Sequence, residues 1–152
     1  MIKAMLLLLI SLVLANGQAH KMTAEKRQEI LDYQLTLERA NHLITAMDAM
    51  TRYLAALPDF KERLRKSAQM TPAERLAQVE NDPKAMEILK HNELTAREYL
   101  VGVPALRMAL IAAQGMARNQ YIIASPANVA FAKAHMAELK PKMDSADGIR
   151  RK

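Results

Sequence analysis

Four histidines, at positions 20, 42, 91 and 135, supply every imidazole in the chain, and cysteine is absent. Thiol catalysis, thiolate metal sites, covalent haem attachment and a lipid-modified N-terminus are therefore excluded. If a leader is removed after Ala19, His20 becomes the first residue. Its free amine and imidazole could then chelate copper together as a histidine brace, which needs at least one more imidazole from the folded body. Cleavage after Gly17 abolishes that site. Met47 and His135 form a second candidate. Soluble periplasmic b-type haem bundles take one axial ligand from a Met on the first helix and one from a His on the last. The run Met47-Asp48-Ala49-Met50 also has the spacing of thioether copper sites. Two of the eleven Met residues fall in the leader, however, and most others fall on apolar helix faces, where thioethers fill irregular cores. The expectation is no resident cofactor, with Met47, His135 and His20 as the weak candidates.

The remaining polar residues build no catalytic set. Di-iron bundles need paired Glu-x-x-His motifs, and this chain has the reversed His135-x-x-Glu138 once. There is no HExxH, no nucleophile elbow and no phosphate-cradling glycine loop. Ser125, followed by Pro126, reads as a helix cap. His42 lies near Glu38 on a polar face and reads as solvated, and His91 falls at a helix C-terminus, where a cation suits the dipole. Arg107 stands out in an apolar stretch. It could snorkel at the edge of the core, pair with Glu98 or Asp48, or receive a ligand carboxylate. Enzymatic function is not expected.

The elements that must position these residues are helices. Period-two, β-branched runs are missing, whereas helix starts are written repeatedly. Thr71-Pro72-Ala73-Glu74 and Thr95-Ala96-Arg97-Glu98 are capping boxes; Asp82-Pro83 and Ser125-Pro126 place a cap before a proline; Thr36 is a simpler cap. The spacing predicts helices over 24–33, 37–57, 72–80, 83–90, 96–122 and 126–140. KERLRK at 61–66 reads as a basic connector with at most one turn, and Pro141 reads as a stop before a frayed basic tail. The stretch from Tyr99 to Met116 is nearly apolar all round, which marks a helix surrounded by others, kinked at Pro104. The expected fold is all-α: a single-domain bundle of about five helices around a central helix at about 96–122. The N-terminal segment 20–35 is partly disordered or a short helix, the helical domain spans 36–140, and 141–152 is the tail.

Met1-Ile2-Lys3, the apolar run 5–15 and the small residues Gly17 and Ala19 have the layout of a signal peptide over 1–19. About eleven apolar residues fall short of the ~20 of a spanning helix. Arg107, Gly102, Pro104 and Gly115 argue against a span within 96–122. The expected destination is the periplasm or the exterior, with no transmembrane helix in the mature chain. The formal charge of +6 favours anionic partners, though nucleic acid is not expected outside the cell. Trp is missing and aromatics make up 4%, so aromatic stacking platforms are not expected.

Three segments carry a resemblance: Leu35-Thr36-Leu37-Glu38, NDPKAMEILKHNELTAREYLVGVPALRMA (81–109) and SPANVAFAKAHMAEL (125–139). In that order they resemble a family of small, uncharacterised, signal-bearing helical proteins of bacteria. The resemblance implies a bacterial, exported, all-α protein and brings no activity or site residue. The expected function is a non-enzymatic binding or interaction module of the bacterial envelope, whose partner is a protein, an envelope component or a small apolar ligand. A haem- or copper-binding bundle is the alternative.

Overall fold

Side-chain caps set most helix starts in this chain. The structure is a computed structural model that describes residues 22–115 and 122–148. Thr23 caps α1 (Ala24–Asp32) and Thr36 caps α2 (Leu37–Ala55), each accepting from a first-turn amide. Helix α3 (Phe60–Ser67) follows Asp59 without a side-chain cap. Thr71 opens α4 (Pro72–Glu80) with a complete capping box, and Asp82 caps α5 (Pro83–His91). A second complete box at Thr95 opens α6 (Ala96–Ala113), and Ser125 caps α7 (Pro126–Ala146). The leader assigned to 1–19, and His20 with it, lie outside the described residues.

Helix α6 is the centre, as its all-round apolarity predicts: it packs against α1, α2, α4, α5 and α7. The core joins the fully buried Leu43, Leu89, Leu106 and Leu139 to a set of buried alanines that lets the helices approach closely. Each such leucine contributes roughly 1.5–3 kcal/mol on leaving water. Gly102 extends that close approach, because a Cβ there would stand 2.9 Å from Leu43 and from the Tyr33 ring. A smaller cluster of Ile30, Val101, Ala105 and Ile123 ties α1 and the segment before α7 to α6. An ion pair between Arg97 and Glu29 adds a clamp on α1 and holds the Glu29 carboxyl below its usual range.

Four expectations are corrected. Seven helices, not about five, occur among the described residues. Residues 60–67 form a helix where a basic connector was expected. The central helix ends at Ala113 rather than 122, because Gly115 takes a left-handed φ of 78° and its N–H returns to the Ala112 carbonyl, a helix-ending turn. The end of the expected helix, 116–121, lies outside the described residues. Finally, Pro141 does not stop α7, which runs to Ala146, so the tail expected at 141–152 begins as part of the domain. A proline inside a helix costs about 3 kcal/mol. Here Leu139, Met143 and Ala146 recur on the buried face, and their burial offsets that cost.

The close of α5 supplies a stability prediction. The Leu94 N–H reaches the Leu89 carbonyl and the Glu93 N–H reaches the Lys90 carbonyl, a Schellman ending in which Leu94 packs back into the core. Glu93 therefore carries a φ of 56°, a region that disfavours any residue with a Cβ. Glu93→Gly should stabilise the protein by roughly 0.5–1 kcal/mol, raising the urea midpoint without changing the slope of the transition.

Candidate functional site

Two concavities open to solvent stand out among the described residues, one of about 550 Å3 beside Leu35 and Asn128 and the other where α2 crosses α7. Asn41, Ile44, Thr45 and Asp48 recur every three or four residues, so they line one face of α2; Pro141, Lys142, Ser145 and Ala146 face them from the last turns of α7. The space between them is about 450 Å3 and open to solvent. The Lys142 ammonium donates to Asn41 Oδ1 at 2.7 Å and to Glu138 Oε1 at 2.8 Å, holding the Glu138 carboxyl below its usual range. Asn41 donates in turn to the Leu37 carbonyl, and the Thr45 hydroxyl donates to the Asn41 carbonyl at 2.9 Å. Asp48 pairs with Arg52 at 2.5 Å. One wall thus carries hydroxyl, amide and carboxylate, and the other an ammonium. Pro141 has no N–H for the Ala137 carbonyl, so α7 lacks one rung at this wall.

The two helices run in the same direction. Asn128, near the start of α7, receives the Leu35 N–H on its Oδ1 at 3.1 Å and donates its Nδ2 to the Tyr33 carbonyl at 2.7 Å. Lys142, further along α7, meets Asn41 on α2. Beyond it, Asp147 closes α7 and takes a hydrogen bond of 2.6 Å from Arg107 on α6, whose Nη2 also contacts Met47 Sδ at 3.5 Å. Arg107 therefore pairs with a carboxylate, but with Asp147 rather than Glu98 or Asp48; Glu98 faces Arg39 instead. The partner was missed because Asp147 lies beyond Pro141, in the stretch read as tail.

Burial works against both members of this pair. It pushes the Asp147 carboxyl up and the Arg107 guanidinium down, with the mutual attraction offsetting part of each shift. Asp144 on the same helix adds to the rise at Asp147. A carboxylate at a helix C-terminus also opposes the helix dipole, so Asp147 depends on Arg107 to stay charged. Tyr99, about two turns earlier on α6, has its hydroxyl raised above the phenol range by burial. Arg107→Met should cost about 2–3 kcal/mol near neutral pH, because it strands the carboxylate. The variant's Asp147 would titrate higher still. Its deficit is therefore present above that raised value and fades as pH falls through it. Urea melts of both proteins at pH 7 and pH 4 should show the gap narrowing in acid.

The candidate ligands lie apart. Met47 is buried and occupied by Arg107, level with Asp147. His135 sits on the stretch of α7 between Asn128 and Lys142, against the Phe131 ring at 4.8 Å between centroids. Met47 thus meets Arg107 while His135 meets Phe131, so the two candidate ligands have different neighbours. His42 is half-buried, and its enclosed Nδ1 has no hydrogen-bond partner among the described residues; His91 is exposed at the end of α5. Among the described residues no three His or carboxylate side chains are gathered as a metal site, and no helix is long and apolar enough to cross a membrane. No family model, curated protein or solved structure matches the chain.

Proposed function

We propose that the protein is an exported, non-enzymatic binding module whose α2–α7 cleft receives an extended segment of a partner protein of the bacterial envelope. The observation that carries this reading is the cleft itself: it is open to solvent, and amide and hydroxyl groups of Asn41, Thr45 and Ser145 stand in it among apolar surface from Ile44, Pro141 and Ala146. An open groove of mixed polarity suits a chain with alternating backbone donors and acceptors and apolar side chains better than it suits a small apolar molecule, which needs enclosure. Export rests on the leader layout at 1–19 and on the absence of cysteine, which leaves the fold indifferent to an oxidising compartment.

A photo-activated crosslinking residue placed at Thr45 or Ser145, both exposed in the cleft, tests the reading in cells. The expected result is one adduct of the same mass from both positions and none from Lys90, which is exposed elsewhere. Equal labelling at all three positions, or none at the cleft, would overturn it. N-terminal sequencing of the isolated protein tests export separately, with a start at Gln18 or His20 expected and an intact Met1 counting against it.

A further inference from the structure

We propose that the stretch from the end of α2 to the start of α4 is a flap that opens as a unit on an intact core. Its basic run, Lys61 to Lys66, is then where the folded protein is open to a protease that cuts after Lys or Arg. The fold holds this stretch more weakly than its neighbours. No residue of α3 is fully buried, the helix forms no extended packing with another, and Asp59 gives its first turn no side-chain cap. Leu57, Phe60 and Leu64 are half-buried on the side turned toward the fold, yet they belong to neither core cluster. Two polar latches complete the attachment. Arg63 stands 2.9 Å from Asp59 and 3.8 Å from Asp82 at the start of α5. Arg75, on α4, donates to the Ser67 and Met70 carbonyls at 3.2 and 3.3 Å. The flanking helices are anchored differently, α2 by Leu43, Met47 and Met50 in the main core and α4 by Leu76 and Val79 packed against it. Opening the flap therefore breaks two latches and uncovers a half-buried ridge while every buried core residue stays in place. Few buried contacts and polar ties are the marks of a segment that opens below the cost of global unfolding.

The sequence of the flap makes that opening consequential. Lys61, Arg63, Arg65 and Lys66 place four basic residues within six positions. Exposure alone does not admit a helix to a protease, whose cleft takes its substrate as an extended strand, so cutting waits on the opened state. Water then adds across the peptide bond after the basic residue, leaving a carboxylate on one fragment and an amine on the other. Apart from Arg75, every other basic residue among the described residues lies on a helix with a buried member. The two fragments stay together after the cut, because α2 on one side packs against α6 and α7 on the other.

Brief trypsin digestion of the purified chain, read by intact mass and gel filtration, tests the cut. It is run with Arg118→Gln, which removes the basic residue between the two described stretches. The first cut within the described residues is expected at one of Lys61, Arg63, Arg65 and Lys66, and the fragments should co-elute at the parent's volume. Backbone hydrogen exchange on the uncut protein tests the opening, with the amides of α3 expected to exchange at least about a hundredfold faster than those around Leu43 and Leu106. Arg75→Met removes one latch and should speed both the exchange of α3 and the cut about five- to tenfold, with the melting temperature close to the parent's. Ile44→Val weakens the core without touching the flap, so it should lower the melting temperature and leave the cutting rate within about twofold. A first cut on any other helix, fragments that separate, or α3 amides as protected as the core would each overturn the proposal. So would a cutting rate that rises as much in Ile44→Val as in Arg75→Met, which would mean that global unfolding exposes the site.

Discussion

Leu110→Asp should abolish the cooperative thermal transition of this protein. Leu110 sits on the central helix, 4% exposed and within the main core cluster. The nearest cation along the helix, Arg107, is already held by Asp147, so a carboxylate there must compete for it, remain charged in an apolar site or take up a proton far above its ordinary range. Added to the lost leucine contacts, the expected cost is about 5 kcal/mol or more, comparable with the whole stability of a small domain. The variant should show weak, non-cooperative melting by circular dichroism, while the volume-conserving Leu110→Met should lose less than about 1.5 kcal/mol. A normal melting temperature for Leu110→Asp would show that α6 is not the buried centre.

Asn128→Leu is the second large effect, and it reverses the usual direction of such a change. Replacing a polar residue by an apolar one of similar size at a buried position normally improves packing. Here it strands two backbone groups, the Leu35 amide and the Tyr33 carbonyl, that Asn128 satisfies with the two ends of one side-chain amide. Asn128 is 3% exposed, so water does not readily replace it. The expected loss is about 2–4 kcal/mol. Asn128→Asp keeps the acceptor for Leu35 and, while protonated, an O–H for the Tyr33 carbonyl, so it should lie between the parent and Asn128→Leu at low pH and lose stability as its carboxyl ionises and that donor is lost. Urea melts of the three proteins check that order, and a neutral Asn128→Leu would mean the clasp carries no load.

The same residue shows how far the fold was legible from the chain. Capping chemistry is local, so Thr36, Thr71, Asp82, Thr95 and Ser125 marked their helix starts correctly, and the apolar circumference of α6 marked its central place. The buried face of α7 was less readable. An apolar pattern selects Val129, Ala132, Met136 and Leu139, but the buried set is Asn128, Ala132, Leu139, Met143 and Ala146. The polar member is invisible to a hydrophobic period, because its partner is a stretch of backbone from the other end of the chain. Pro141 compounded the error: a strong local stop signal was outweighed by burial two and five residues later, and Asp147 was lost with it. The cleft was equally hidden, since it depends on which helices become neighbours. Met47 and His135 were each placed on the right helix, but their neighbours, Arg107 and Phe131, depend on packing that no local pattern records.

The parallel course of α2 and α7 governs when the domain can form. Asn128 bridges to Leu35 across 93 residues of sequence, and closing a loop of that length costs about 4 kcal/mol of chain entropy before any contact is made. Chains emerge from their N-terminus, whether from a ribosome or through a membrane pore. The segment that feeds α1 into α2 must therefore wait, with its amide and carbonyl held by water, until the start of α7 arrives. Folding of this domain is in that sense decided by α7, and a chain stopped before Asn128 should remain open however complete α1 to α6 are.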